Sequence, residues 1–392
     1  MYKYRKDIYY CLYFITLSLY LVGRFFEYTT WNDKFGKYFI MVKNFSYIPL
    51  ALILFLAITE TVALSDANLK KTHILVFLFI LFCLIFVVFY NINSAFVCVG
   101  FSFCTIKIDK KKLYKFLYIF FLILITIGIV GGVGNMTTTA RVFGDSRTRY
   151  AFAFAHPYSM QLIWMSVVSC QILYKESKPK KKMVCVSLII TLILHLLGDT
   201  RSAFVCTVFL ILFDYAYKAK SLNENVNYCN AKDFKMLCGV FAVFFLVINS
   251  LCIYRAKYVN DFIVIVDTLF TGRVSMGARY FAGVCNNSIP ILPVEKNVNL
   301  EKWALGSYIL DSEYSQWLFD FGLLFSSIIL VFLFFVMKNA IKQKEVSIVV
   351  IFTAIALNAM MEPCILSILY NPGILLCIPI LYETKGLKIS YD

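Results

Sequence analysis

Residues 73–90 read HILVFLFILFCLIFVVFY, eighteen positions without a single Lys, Arg, Asp or Glu. Only a helix, which satisfies its own backbone hydrogen bonds, places such a segment in hydrocarbon. The rest of the chain is of the same kind. Of its 392 residues 60% are hydrophobic and 16% charged, against about a quarter charged in soluble domains. A soluble protein of this length needs charged residues over most of its surface, and this one lacks them. The composition therefore specifies an all-α, polytopic integral membrane protein.

Working outward, about twelve apolar segments read as transmembrane helices: 8–23, 45–64, 73–90, 95–106, 116–134, 158–174, 184–198, 202–217, 237–254, 314–337, 346–361 and 372–383. Several fall short of the roughly 20 residues that a perpendicular span needs. The start, MYKYRK followed by IYYCLYFITLSLYLVG, has a charged and then an apolar region but no small-x-small cleavage site, and reads as a retained first span. One membrane domain over 1–392 is expected, with loops 135–157 and 255–313 outside the bilayer, the second large and late. No internal repeat or low-complexity segment is present.

The formal net charge of +15 would suit nucleic acid, but its placement does not. Lys falls in short clusters between apolar spans, as the positive-inside rule expects. With the N-terminus in the cytoplasm, Lys70–Lys71, Lys110–Lys112, Lys180–Lys182, Lys218–Lys220, Lys342–Lys344 and Lys385–Lys388 all face inward, and 24 of the 38 Lys and Arg lie inside. The two basic types then separate. Arg5 is inside, whereas Arg24, Arg141, Arg147, Arg149, Arg201, Arg255, Arg273 and Arg279 lie at or beyond the opposite face. Topology depletes both types alike, so an outward bias of Arg has another cause. Its planar fork suits phosphate. Pairing with loop carboxylates such as Asp145, Glu295 or Asp311 is the plainer alternative.

Three constellations carry potential chemistry. In Gly198–Asp199–Thr200–Arg201–Ser202, a charged turn between two apolar spans, Arg201 either pairs with Asp199 to cap two helices or meets a lipid-linked phosphate. In Asp145–Ser146–Arg147–Thr148–Arg149–Tyr150, leading to Phe152, Phe154, His156 and Pro157, basic and aromatic residues suit phosphate and sugar; His156 is a helix-start residue or a catalyst. The long loop contains Thr271–Gly272–Arg273 and Arg279–Tyr280–Phe281 and closes on Asp311–Ser312–Glu313–Tyr314. A connector does not need about sixty residues, and the apolar content of this one predicts an ordered, packed structure. Asp311 and Glu313 are positioned to serve as a general base toward a hydroxyl, or as N-terminal caps of the next helix. His195, in an apolar helix, reads as a packing or hydrogen-bonded residue.

The chain has no GxxxxGK[ST] loop and no His/Cys cluster with metal spacing. Neither nucleotide hydrolysis nor a metal or other cofactor is indicated. Of the 13 cysteines, most fall inside spans as small apolar residues, and Cys285 lies alone in the large loop. A reaction beyond the membrane then needs a substrate already activated.

These residues resemble the bacterial O-antigen polymerases and the related O-antigen ligases. Gly198–Asp–Thr–Arg201–Ser–Ala–Phe is similar to that family's "SRgall" turn. Arg149–Tyr–Ala–Phe–Ala–Phe–Ala–His156–Pro157–Tyr158 is similar to its "RxSFGFxHPN" element, with Ala153 and Tyr158 where the family has Gly and Asn. Asp311–Ser–Glu–Tyr314–Ser–Gln–Trp–Leu–Phe–Asp–Phe–Gly322 resembles the ligase-type "HNxYLxxLxxxG" start of a helix, with Asp311 where ligases carry His. The likeness spans residues from about 140 to 340. It implies glycosyl transfer at the periplasmic face of the inner membrane, without a cofactor, between undecaprenyl-pyrophosphate-linked oligosaccharides. Asp311 would be the base, with Glu313 as its understudy, and Arg201, Arg273, Arg149, Arg147 and Arg279 would hold the pyrophosphate. Membrane lipids, a chain-length regulator and a flippase of the same pathway are the implied partners. The rival readings are a ligase acting on lipid A core and a flippase for lipid-linked sugars.

Overall fold

The computed structural model describes residues 2–63, 67–90, 93–133, 150–175, 180–223, 235–294 and 310–383. The described chain is helical, apart from turns and one isolated β-bridge between Thr29 and Phe154. Its helices are α1 (Tyr2–Glu27), α2 (Asn32–Phe45), α3 (Tyr47–Ala63), α4 (Ala67–Tyr90), α5 (Asn93–Cys104), α6 (Lys110–Val133), α7 (Pro157–Tyr174), α8 (Lys181–Gly198), α9 (Arg201–Asn223), α10 (Val240–Lys257), α11 (Asp261–Leu269), α12 (Arg273–Gly283), α13 (Glu313–Ser315), α14 (Gly322–Lys342), α15 (Val346–Asn358) and α16 (Cys377–Glu383). The chain divides into two compact units, residues 1–228 with 366–392, and residues 229–365.

Among the described residues, six stretches are long and apolar enough to cross a membrane: Asp7–Glu27, Asn32–Thr59, Lys110–Val133, Lys181–Gly198, Lys235–Lys257 and Gly322–Lys342. Val76–Tyr90, the later part of α4, and Asn93–Lys107, Val346–Asn358 and Pro372–Tyr382 are shorter apolar stretches. Helices thus lie in every segment expected to span, but length and apolarity alone do not reach a count of twelve. The stretch 24–44, expected as a connector, holds a helix: α2 continues toward α3 with a break at Ser46. Pro49, on the first turn of α3, explains that break, since it cannot donate to the carbonyl of Phe45.

In the first unit α7 is central. Residues Ser159 to Cys170 are buried without exception, the pattern of a helix enclosed on all sides. Its polar side chains tie neighbours together. Trp164 donates to Thr191 of α8 at 2.9 Å, and Ser166 donates to the carbonyl of Leu369 at 2.8 Å. Lys218 of α9 closes the other end, donating to the carbonyls of Ile172 and Lys175 and pairing with Asp214 at 2.8 Å. Ahead of α7, residues 150–156 thread between α6 and the α1–α2 turn. Gly132 makes room: a Cβ there would lie 2.3 Å from the backbone of Ala153.

In the second unit α10 packs on α12, with Gly277 placed so that an added Cβ would meet Cys252 Sγ at 2.4 Å. The loop expected over 255–313 is, in its described part up to residue 294, the helical hairpin α11–α12 followed by turns and irregular chain. Residues 295–309 lie outside the described part. The helix expected over 314–337 is interrupted. A short turn of α13 runs into a π-helical turn, Gln316–Asp320, and α14 starts only at Gly322, whose φ of +86° L side chains rarely adopt. Close passage of the 290–294 stretch forces that geometry, because the first amides of α14, Leu323 and Leu324, donate to Pro290 and Ile291.

Candidate functional site

The second unit brings together an arginine and three carboxylates from distant parts of the sequence. Arg273 opens α12 directly after the left-handed pair Thr271–Gly272, with φ of 51° and 86°. That turn holds because the amide of Gly272 donates to Asp267's carbonyl, while the Asp267 carboxylate accepts from the Ser275 amide at 2.9 Å and from the Ser275 hydroxyl. The guanidinium spends its fork locally. Nη2 donates to Glu362 Oε1 at 2.6 Å, Nε to the carbonyl of Met361 at 3.3 Å, and Nη1 to Thr271. Asp311 stands 3.6 Å from the same Nη2.

Asp311 and Glu313, alike on paper, have different surroundings. Glu313 is buried, and one of its oxygens accepts from the amides of Cys364, at 2.7 Å, and Ile365. Its own amide donates to Ala359's carbonyl at 3.0 Å. The side chain thereby ties the start of α13 to the irregular stretch after α15. Asp311 accepts no hydrogen bond among the described residues, and its side chain is 30% exposed. Burial pushes its carboxyl above the usual range, and the Arg273 guanidinium pulls the other way without cancelling the effect. A carboxylate with open lone pairs, access to solvent and a raised proton affinity is equipped to accept a proton.

Nearby, Tyr280 donates to Asp320 at 3.1 Å, and burial together with that carboxylate raises the phenol. Burial and Asp320 also push the Cys285 thiol up to about 12, which disfavours the thiolate, and its Sγ donates to the carbonyl of Phe319. Arg279 is exposed on α12 with no ion pair among the described residues. Arg255, on the last turn of α10, has a buried Nε without a partner among them.

In the first unit the structure joins two of the sequence constellations. The amide of Tyr150 donates to the carbonyl of Leu197 at 2.8 Å, and Gly198 faces Pro157 at 3.5 Å from where a Cβ would stand. Asp199 ends α8 in the left-handed region, φ 44°, where Asp is among the few residues tolerated. Arg201 then opens α9. It is 65% exposed and lies 3.8 Å from Asp199, an exposed pair of the kind that contributes 0 to about 1 kcal/mol. A cation on a first turn opposes the helix dipole, whereas an anion there is favoured. Thr200 Oγ1, just before it, is buried without a partner among the described residues.

His156 caps α7, its Nδ1 accepting from the Tyr158 amide at 3.4 Å, which is the helix-start role. His195 stacks on Phe204 at 4.3 Å. Arg147 and Arg149 lie outside the described residues.

Sequence reasoning missed Glu362. Its signal was present: one carboxylate directly before Pro363, at the end of an apolar run. It missed Glu27 likewise, which joins Arg24, at 2.6 Å, to Lys43. Comparisons with protein-family models, with curated proteins and with solved structures find no match to this chain.

Proposed function

We propose that the chain is a metal-independent membrane glycosyltransferase of the O-antigen polymerase type. It joins undecaprenyl-pyrophosphate-linked repeat units at the periplasmic face of the bacterial inner membrane, in a body of about twelve spans. The observation that carries this reading is Asp311, a partly exposed carboxylate that accepts no hydrogen bond among the described residues and lies 3.6 Å from a guanidinium that Glu362 holds in place. The pair stands at the start of the motif-like run that ends on Gly322.

In the proposed reaction Asp311 takes the proton of the acceptor's terminal hydroxyl. The hydroxyl oxygen bonds to the anomeric carbon of the growing glycan as that carbon's bond to the pyrophosphate oxygen breaks. The pyrophosphate leaves with the electron pair. Arg273, its fork already occupied, orients Asp311. The phosphate role belongs to guanidiniums with open forks, of which Arg201 and Arg279 are examples by their own surroundings. The pathway's flippase would supply the substrate, and a chain-length regulator would act on the product.

A deletion strain complemented with variants tests the reading through its lipopolysaccharide pattern. One repeat unit on the core identifies a polymerase. A bare core with long lipid-linked polymer identifies a ligase instead. Asp311→Asn preserves shape and removes the base; long-chain glycan at the normal level in that strain rules Asp311 out.

A further inference from the structure

The helix α11 carries an apolar face that no described residue of its own unit covers. Phe262, Ile265 and Leu269 are 64, 61 and 71% exposed. With Val266 they fall within roughly 100° of arc, at 100° per residue. Asp261 and Thr268 lie to one side of that arc, and on the other Ile263 turns into the core with no exposure at all. A free helix of nine residues with such a face is unstable in water, yet this one is built firmly. Asn260 caps it, accepting from the Ile263 amide at 3.0 Å and donating to Tyr254 at 2.9 Å. At the other end Asp267 holds Ser275 of α12.

The face continues the exposed side of a candidate membrane span. The exposed side of α10, part of the candidate span Lys235–Lys257, carries Val243, Leu246, Val247 and Tyr254, and runs on through Tyr258 and Val259 into Phe262. Tyr254 and Tyr258 lie ring to ring at 5.1 Å at the corner, in the position of interfacial aromatics. Arg255 and Lys257 on the last turn of α10 suit headgroup phosphates.

We infer that α11 lies in the plane of the membrane interface, its Phe262–Ile265–Leu269 face seated among the acyl chains of the leaflet at which α10 ends. The partner is the lipid layer itself, and the inference is independent of the reaction proposed above. Because Arg273 follows α11 by one tight turn, the seated helix sets the depth of the Arg273–Asp311–Glu362 cluster.

A photoreactive phenylalanine analogue placed singly at 261, 262, 265, 268 and 269 tests this. The full-length protein is irradiated in nanodiscs of phosphatidylethanolamine and phosphatidylglycerol, and adducts are read by intact mass. Lipid adducts at 262, 265 and 269 and none at 261 or 268 are expected. Protein–protein adducts at 262, 265 and 269, or equal labelling at all five positions, overturn the inference. Phe262→Trp and Thr268→Trp give an independent readout: brominated lipid quenches the first several-fold more than the second, and equal quenching overturns the inference again.

Discussion

Arg273 and Arg201 have the same side chain in opposite circumstances. Arg273 is 18% exposed and held by Glu362; Arg201 is 65% exposed beside a weak partner. Substitution should separate their roles. Arg273→Gln removes the positive charge that lowers Asp311, so the carboxyl rises further. The proposed reaction needs the ionised form, and the acid limb of the rate profile should move to higher pH. Glu362→Gln strips Arg273 of its counter-charge, strengthens its pull on Asp311, and should move the same limb to lower pH. Both follow from polymerisation by membrane vesicles across a pH series; limbs that stay in place would separate Arg273 from Asp311. The stability sign is distinct. A carboxyl raised by folding favours the folded state at low pH, and this contribution is lost as pH rises through the raised value. Arg201→Lys keeps the charge and loses the fork, worth ~1.5–3 kcal/mol in charge-assisted bonds, and should cut chain extension by about one to two orders of magnitude at unchanged protein level. Normal long-chain glycan in that strain removes Arg201 from the phosphate role.

Among the elements, the junction between Asp311 and α14 concentrates the backbone demands. The π-helical turn Gln316–Asp320 and the left-handed Gly322 place a buried platform of Tyr314, Trp317 and Phe319 where a continuous helix would have run. Single-residue π bulges and such turns recur at functional sites. Gly322→Ala meets both a φ of +86° and a Cβ 2.6 Å from the Leu292 carbonyl carbon. It should cost more than the ~1–2 kcal/mol of the dihedral alone, and lower the unfolding temperature in detergent. Glu313→Ala strands two buried amides, at about 1–3 kcal/mol each. Glu313→Gln, which keeps an acceptor oxygen, should recover part of the loss. Equal destabilisation by the two variants would mean that charge, not hydrogen bonding, is what Glu313 supplies.

At the scale of the whole chain, the separation of Lys from Arg gives the topology test. Alkaline phosphatase fused after residues 200 and 272 should be active, and fused after 111 and 181 inactive; the reverse pattern removes the basis for a periplasmic phosphate site. Two kinds of information meet in this molecule. Membrane character and helical class were legible in the sequence, because the transfer of apolar side chains out of water is a local property that composition and run length report directly. So were the helix-start role of His156 before Pro157 and, in its described part up to residue 294, the order of the loop after α10. Tertiary structure decided how the carboxylates divide their work, since Asp311 and Glu313, two positions apart, face different groups: solvent and a guanidinium for one, two backbone amides for the other. It also decided that Glu362 reaches Arg273 across 89 positions of chain, and that α14 starts at Gly322. Those outcomes depend on which distant backbone arrives alongside, and no run of residues carries that information.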